Sequence, residues 1–445
     1  MRRYPYILAL LSLLASAAAN AQTNISGVIN RYTPVVLIDK CNTSVVVRNS
    51  FGFAAGDKVL IIQMKGASID LTDHAGFGDI TAYNNAGNYE LATVDEVNGF
   101  TLVLHNKLAR EYDVSGLVQV IRVPQYTNVT VTGTLTAKAW DGQTGGVLAF
   151  IASGTVTLNA DIDVSGKGFR GEEHTRRCDN GMGSVVGFRY SISLDSANYK
   201  GEGVAQFDTA YRSGRGKLAN GGGGGNSRAS GGGGGNGGAG GKGGMQASYI
   251  ANYDNGGQGG NALTYDTASA WRKIFLGGAG GNSGPEDVEK VSKGENGGGI
   301  VIVQAGMLQA NSHAVMANGN DNATGDSNPS PSNVLGGGGG GAGGAVLLDV
   351  SSIPNTLVVQ INGGRGADTR HNLSCYGPGG GGSGGCLWVS ASAKPAAISE
   401  QLNGGAAGIT HATDPPCKET NYGAVAGGSG IVRMRLIIPV GTIAR

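Results

Sequence analysis

The chain has 445 residues, 82 of them Gly, so Gly stands at about 18% where roughly 7% is usual, without the strict triplet period and high Pro content of collagen. With 40% hydrophobic residues wholesale disorder is excluded. With 33 basic against 32 acidic residues, the electrostatic footprint of a nucleic-acid binder is missing too.

In chain order, the first segment reads as a secretory signal peptide over residues 1–21. Arg2 and Arg3 form the positive end, Ile7–Ala19 the apolar stretch, and Ala19-Asn20-Ala21 the small-residue cleavage site. The mature chain is expected to start at Gln22 with 31 basic and 32 acidic residues. It contains no other run apolar and long enough for a transmembrane helix. Export to the cell surface or medium is therefore expected, with the periplasm as the alternative compartment.

Residues 22–140 form the next unit. Short β-type runs at Val35–Ile38, Ser44–Val47, Lys58–Gln63, Tyr89–Val94, Phe100–Leu104 and Leu117–Val123 are separated by turn residues such as Gly56, Gly99 and Gly116. Their number and spacing predict a small β-barrel or sandwich.

From residue 141 to 445 the pattern changes. A Gly pair opens an apolar strand at Gly145-Gly146-Val147, Gly298-Gly299-Ile300, Gly343-Gly344-Ala345 and Gly384-Gly385-Cys386, with a weaker copy at Gly428-Ser429-Gly430-Ile431. Recurrence of one unit predicts stacked strands around a shared core. The densest Gly block, 221–299, is broken by Tyr249, Tyr253, Tyr265, Trp271, Ile274, Phe275 and Leu276, which a flexible linker does not need. Extended polyglycine-II helices, three residues per turn and bonded to neighbours through their backbones, are the expected alternative to a linker. The predicted fold class is all-β: a small N-terminal β-barrel or sandwich, then a glycine-rich repeat body of stacked strands with packed polyglycine-II helices.

Five cysteines are present, Cys41, Cys178, Cys375, Cys386 and Cys417, an odd count in an exported chain. Cys375 and Cys417 occupy similar places, each in a polar loop before a Gly-rich segment, and are the expected disulfide pair. The pairs His174 and Cys178, His371 and Cys375, and His411 and Cys417 offer zinc-type ligands, but disulfides and solvated loop histidines account for them. No metal site is expected. Asp321 and Asp326, within Asn318–Asp326, are weak calcium candidates that lack the EF-hand spacing and its terminal Glu. Calcium is thus the one cofactor candidate, and otherwise none is expected.

Catalysis finds little footing. No Gly-x-Ser-x-Gly motif sits between strand and helix, and 82 glycines make Gly-x-Gly-x-x-Gly matches uninformative. The carboxylate pairs Glu172-Glu173 and Asp161 with Asp163 fit a glycosidase only if a cleft gathers them. The loop tyrosines Tyr83, Tyr89, Tyr190, Tyr199, Tyr211, Tyr249, Tyr253 and Tyr265 suit either sugar and adhesive contacts or packing against the Gly block. Regular Thr ladders of an ice-binding face are not found.

The segments Phe53–Gln63, Tyr83–Glu90, Trp140-Asp141-Gly142, Gly168–Gly171 and Tyr376–Gly385 resemble exported glycine-rich surface proteins of the Bacteroidota, of the type IX secretion or gliding-associated kind. Here Ile431–Arg445 leaves no room for their C-terminal sorting domain. The resemblance implies O-glycosylation of acidic–hydroxyl–small triplets, which places candidates at Ser196, Thr209 and Thr267. The Gly block is also similar in kind to the glycine-rich domain of anaplastic lymphoma kinase-type receptors and to phage tail adhesins, an architectural likeness only. The expected function is a non-catalytic surface or extracellular structural or adhesion protein. Its expected partners are cell-surface glycans or proteins, and self-association through exposed strand edges is allowed. The alternative is a carbohydrate-binding or carbohydrate-active β-solenoid.

Overall fold

A computed structural model describes residues 22–39, 43–172, 187–190, 197–206, 208–225, 229–247, 252–265, 272–283, 292–322, 336–370, 375–411 and 417–441. The signal-peptide segment, Asp326, Ser196 and Thr267 lie outside these residues. Apart from one short 3-10 turn at Val114–Gly116, the described secondary structure is β.

Six antiparallel strands close a barrel in the order Arg31–Asp39, Ser44–Val47, Thr101–Leu104, Tyr89–Asn98, Lys58–Gln63 and Val118–Val123. The two-residue side-chain period sorts each strand between two cores. Val59 and Ile61 point into the barrel with Val45, Val94, Leu102, Val118 and Val120. Leu60, Ile62 and Ile121 face outward, yet they are also buried because a second sheet covers them.

That second sheet has 12 strands. One ladder stacks Val147–Leu158, Ile300–Gln309, Ala345–Ser352, Cys386–Val389 and Ile431–Arg433 in parallel, with Val147, Ile300, Ala345, Cys386 and Ile431 in one register. The other ladder stacks Ile162–Asp163, Ala314–Met316, Leu357–Gln360 and Ile398–Gln401. The sheet curls from one ladder to the other through Val129–Thr136, which pairs with both. Thr23–Val28 also joins Val129–Thr136. Both strands belong to the long sheet, although they lie within the 22–140 segment read from sequence as one unit.

The first four residues of Val147–Leu158, Ile300–Gln309, Ala345–Ser352 and Cys386–Val389 are buried on both faces. Val147, Ala149, Ile300, Ile302, Ala345, Leu347 and Trp388 meet the outside of the barrel. Leu148, Phe150, Val301, Val303, Val346 and Leu348 meet Val131, Ile162, Val315, Leu357 and Val359 of the second ladder. This is why these strands read as continuous apolar runs rather than as alternating ones. At the turns, side chains lock one coil to the next: Asn318 Oδ1 accepts the Asn362 amide at 2.7 Å, and Asn362 Oδ1 accepts that of Asn403 at 2.9 Å.

The described glycines between 221 and 281 are mostly buried and lie in neither helix nor strand, apart from an isolated bridge at Gly221. Their amides donate sideways. Gly231, Gly232 and Gly233 reach Gly337, Gly223 and Gly241, and Gly234 returns to the first neighbour at Gly340. No side chain fits between them: a methyl built on Gly233 would overlap the Gly381 carbonyl, and one on Gly232 that of Gln258. Asn220 and Asn236 sit inside this packing and donate to the carbonyls of Gly235 and of Gly343 and Gly344. Cys375 and Cys417 form a disulfide, Cα to Cα 5.8 Å, near Tyr422. Cys386 is a buried free thiol within the first ladder.

Candidate functional site

A cavity of about 690 Å³ opens where the barrel, the first coil and the Gly-rich segments meet. Its volume lies in the range of ligand pockets, roughly 300–1,000 Å³. Lys65 and Leu117 come from barrel loops, Gly142 and Arg170–Glu172 from the first coil, Lys200–Glu202 and Arg212 from the insertion after it, and Lys293–Asn296 from the approach to the second coil.

The backbone that holds these side chains is the Gly packing itself. The Glu202 amide donates to the Arg170 carbonyl at 3.2 Å and the Gly201 amide to Gly222 at 2.8 Å. The Glu295 amide donates to Gly339, and the Glu295 carbonyl accepts from Gly280. Methyl groups on Gly171, Gly201 or Gly294 would overlap the carbonyls of Gly294, Ala279 and Gly280. Each of these glycines is therefore turned into the packing, and its charged neighbours on either side line the cavity.

Glu202 is the centre of the charge network. Its Oε1 accepts Lys65 Nζ at 2.7 Å. Its Oε2 accepts Trp140 Nε1 at 3.2 Å, the Arg170 amide at 3.0 Å and Arg170 Nε at 3.3 Å. Burial pushes this carboxyl upward, but Lys65 and Arg170 outweigh it and hold Glu202 below the ordinary carboxylate range. Glu172 pairs with Arg212. Glu295 behaves oppositely: burial raises it, hydrogen bonds from Asn320 and Asn296 offset part of the rise, and Asp321 adds to it. Burial also drives Lys200 well below the usual lysine range, while its Nζ donates to the Gly216 carbonyl at 2.6 Å. Aromatic faces support three of the cations, Phe169 under Lys65, Phe77 under Lys200 and Tyr199 under Arg212.

The residues singled out from sequence are dispersed. Glu172 lines the cavity; Glu173 lies outside the described residues. Asp161 and Asp163 are turn caps, not a facing pair: Asp161 Oδ1 accepts the Ala314 amide at 2.9 Å and Asp163 Oδ1 that of Ser165 at 2.8 Å. Asp321 Oδ1 accepts the Arg365 amide at 2.8 Å. Among the described residues no group of His, Cys, Asp and Glu is arranged to hold a metal ion. Thr209 is exposed. Tyr89, Tyr199 and Tyr265 are buried and serve packing, and Tyr89 opens a barrel strand rather than lying in a loop.

Sequence reasoning missed Glu202, Glu295, Arg170 and Lys293, although a signal was there. Arg170-Gly171-Glu172, Lys200-Gly201-Glu202 and Lys293-Gly294-Glu295 are the three basic–Gly–acidic triplets of the chain, and all three line this cavity. In a protein with only 15% charged residues their recurrence was informative, but their spacing gave no hint that they converge.

No family model and no curated protein matches the chain. Among solved structures it is similar to the Gp54 tailspike of Acinetobacter baumannii bacteriophage AP22, determined in complex with A. baumannii capsular saccharide. Identity is 10%, 95% of this chain and 62% of the tailspike chain are covered, and the TM-score is 0.16, a likeness too low to carry an argument.

Proposed function

We propose that this chain is an exported, non-catalytic surface or extracellular structural protein that holds glycan or protein partners, on a body of packed polyglycine-II helices. The observation that carries the functional reading is how the cavity carboxylates are held. A general base or nucleophile needs a lone pair open to substrate, whereas Glu202 accepts from Lys65, Trp140 and Arg170, and Glu172 is paired with Arg212. A preformed polar cleft of this kind suits recognition of hydroxyl and carboxylate groups. The polyglycine-II reading is supported by the three-residue return of the Gly231–Gly234 amides to the same neighbour.

Fractionation and microscopy of tagged protein, combined with a glycan array, test the proposal. The expected result is surface or medium location with glycan binding and no turnover. Soluble periplasmic protein that degrades a polysaccharide would overturn it. Intact mass of the exported protein tests O-glycosylation at Thr209, with loss of one glycan expected in Thr209→Ala.

One observation favours the carbohydrate-active reading as second choice: Glu295 is raised and Glu202 lowered, the split expected of an acid and its ionised partner. Reducing-end release from polysaccharides, abolished by Glu295→Gln, would establish it.

A further inference from the structure

The three basic–Gly–acidic triplets bring charge to the cavity in a defined balance. Among the described lining residues, the basic side chains Lys65, Arg170, Lys200, Arg212 and Lys293 stand with the carboxylates Glu172, Glu202 and Glu295. Lys65 is engaged by Glu202 and Arg212 by Glu172, and Lys200 donates to backbone carbonyls. Arg170 gives Glu202 only its Nε edge, at 3.3 Å, and its side chain stays 49% accessible. Gly142, at φ 98°, lies beneath the guanidinium. A Cβ there would stand 2.6 Å from Arg170 Nη2, so the absence of a side chain at Gly142 makes room for the guanidinium at the cavity lining. Lys293 is exposed on the segment that packs against Gly171, where the Gly171 amide donates to Oδ1 of the half-buried Asn296 at 2.9 Å.

A planar fork and a nearby ammonium are what a carboxylate-bearing ligand requires, because guanidinium and carboxylate match in geometry as well as in charge. A neutral sugar offers neither Arg170 nor Lys293 an opposite charge. We propose that the cavity binds an acidic, uronate-bearing oligosaccharide, with Arg170 engaging a sugar carboxylate and Lys293 supplying the second positive charge. This inference rests on the glycan-binding reading above and names the chemical class of its ligand.

Calorimetric titration of the full exported chain with tri-galacturonate, galactotriose and sulfated galactotriose tests it. Tri-galacturonate is expected to bind best, with affinity falling as salt rises. Lys293→Gln is expected to weaken it about tenfold at unchanged Tm, since the side chain is exposed. Arg170→Lys keeps the charge and loses the fork, and an equal or greater loss is expected. Galactotriose binding as tightly as tri-galacturonate overturns the inference and leaves the glycan-binding reading standing. Preference for the sulfated sugar assigns the site to sulfate and overturns the uronate assignment. Binding of no saccharide, here or on the array, overturns both.

Discussion

The barrel and the Gly-rich body are held together by opposite means. In the barrel, side chains fill the interior: Val45, Val59, Ile61, Val94, Leu102 and Val120 are fully buried, and alternation along each strand decides what faces inward. Contacts of that kind are non-directional, so volume can be exchanged among neighbours at modest cost. In the Gly body the contacting surfaces are backbones. Amides and carbonyls of separate segments meet mostly at 2.7–3.1 Å, and that spacing leaves no slack for a methyl group. The body also loses more chain entropy on folding, about 0.5–1 kcal/mol per Gly relative to Ala in regular structure, which the ladders and the Cys375–Cys417 bridge help offset. One region tolerates changes of shape; the other admits no added methyl where two backbones meet.

The sharpest test adds one carbon to the Gly body. Gly233→Ala places a methyl on the Gly381 carbonyl; a loss above about 4 kcal/mol is expected, read as absence of soluble folded protein or an early urea transition. Survival of this variant at wild-type stability would break the comparison. The junction between the two regions comes next. Glu202→Gln leaves Lys65 buried without its counter-charge, at an expected cost of about 3–5 kcal/mol in urea unfolding at pH 7. The folded-state Glu202 carboxyl lies below its unfolded value of 4.5. Its contribution is therefore complete above that value and is lost as pH falls through the folded one. The variant should accordingly show a flatter decline of stability with acid.

Within the barrel, Ile61→Val removes one methylene from a side-chain core and should cost only about 0.5–1.5 kcal/mol. The smallest effect is expected at Gly428, which is exposed and where an added methyl meets its nearest neighbour at 3.4 Å. Gly428→Ala should stay within about 0.5 kcal/mol of wild type. A large loss there would mean that Gly content as such, rather than backbone packing, sets the stability of the body.

Much of the β framework was legible in sequence. The Lys58–Gln63 and Ser44–Val47 runs are strands with the expected bounds, and the Gly-led runs at Val147, Ile300, Ala345, Cys386 and Ile431 lie side by side in register. Thr23–Val28 was missed because Asn24, Ser26 and Gly27 interrupt its apolar pattern, whereas the Val/Thr alternation of Val129–Thr136 was a strand signal that was overlooked. The cavity was not legible. Its charges come from five stretches spread from Lys65 to Glu295, and no local spacing encodes a convergence made by insertions between coils.

Local chemistry, then, determined the element types: apolar runs between Gly pairs become strands, and Gly-dense segments can pack only through their backbones. Tertiary structure alone decided which side chains meet. Whether Glu202 is an open base or a partner of Lys65 and Arg170 depends on a stacking of distant segments, because pairing energies act through space and sequence order carries no record of them.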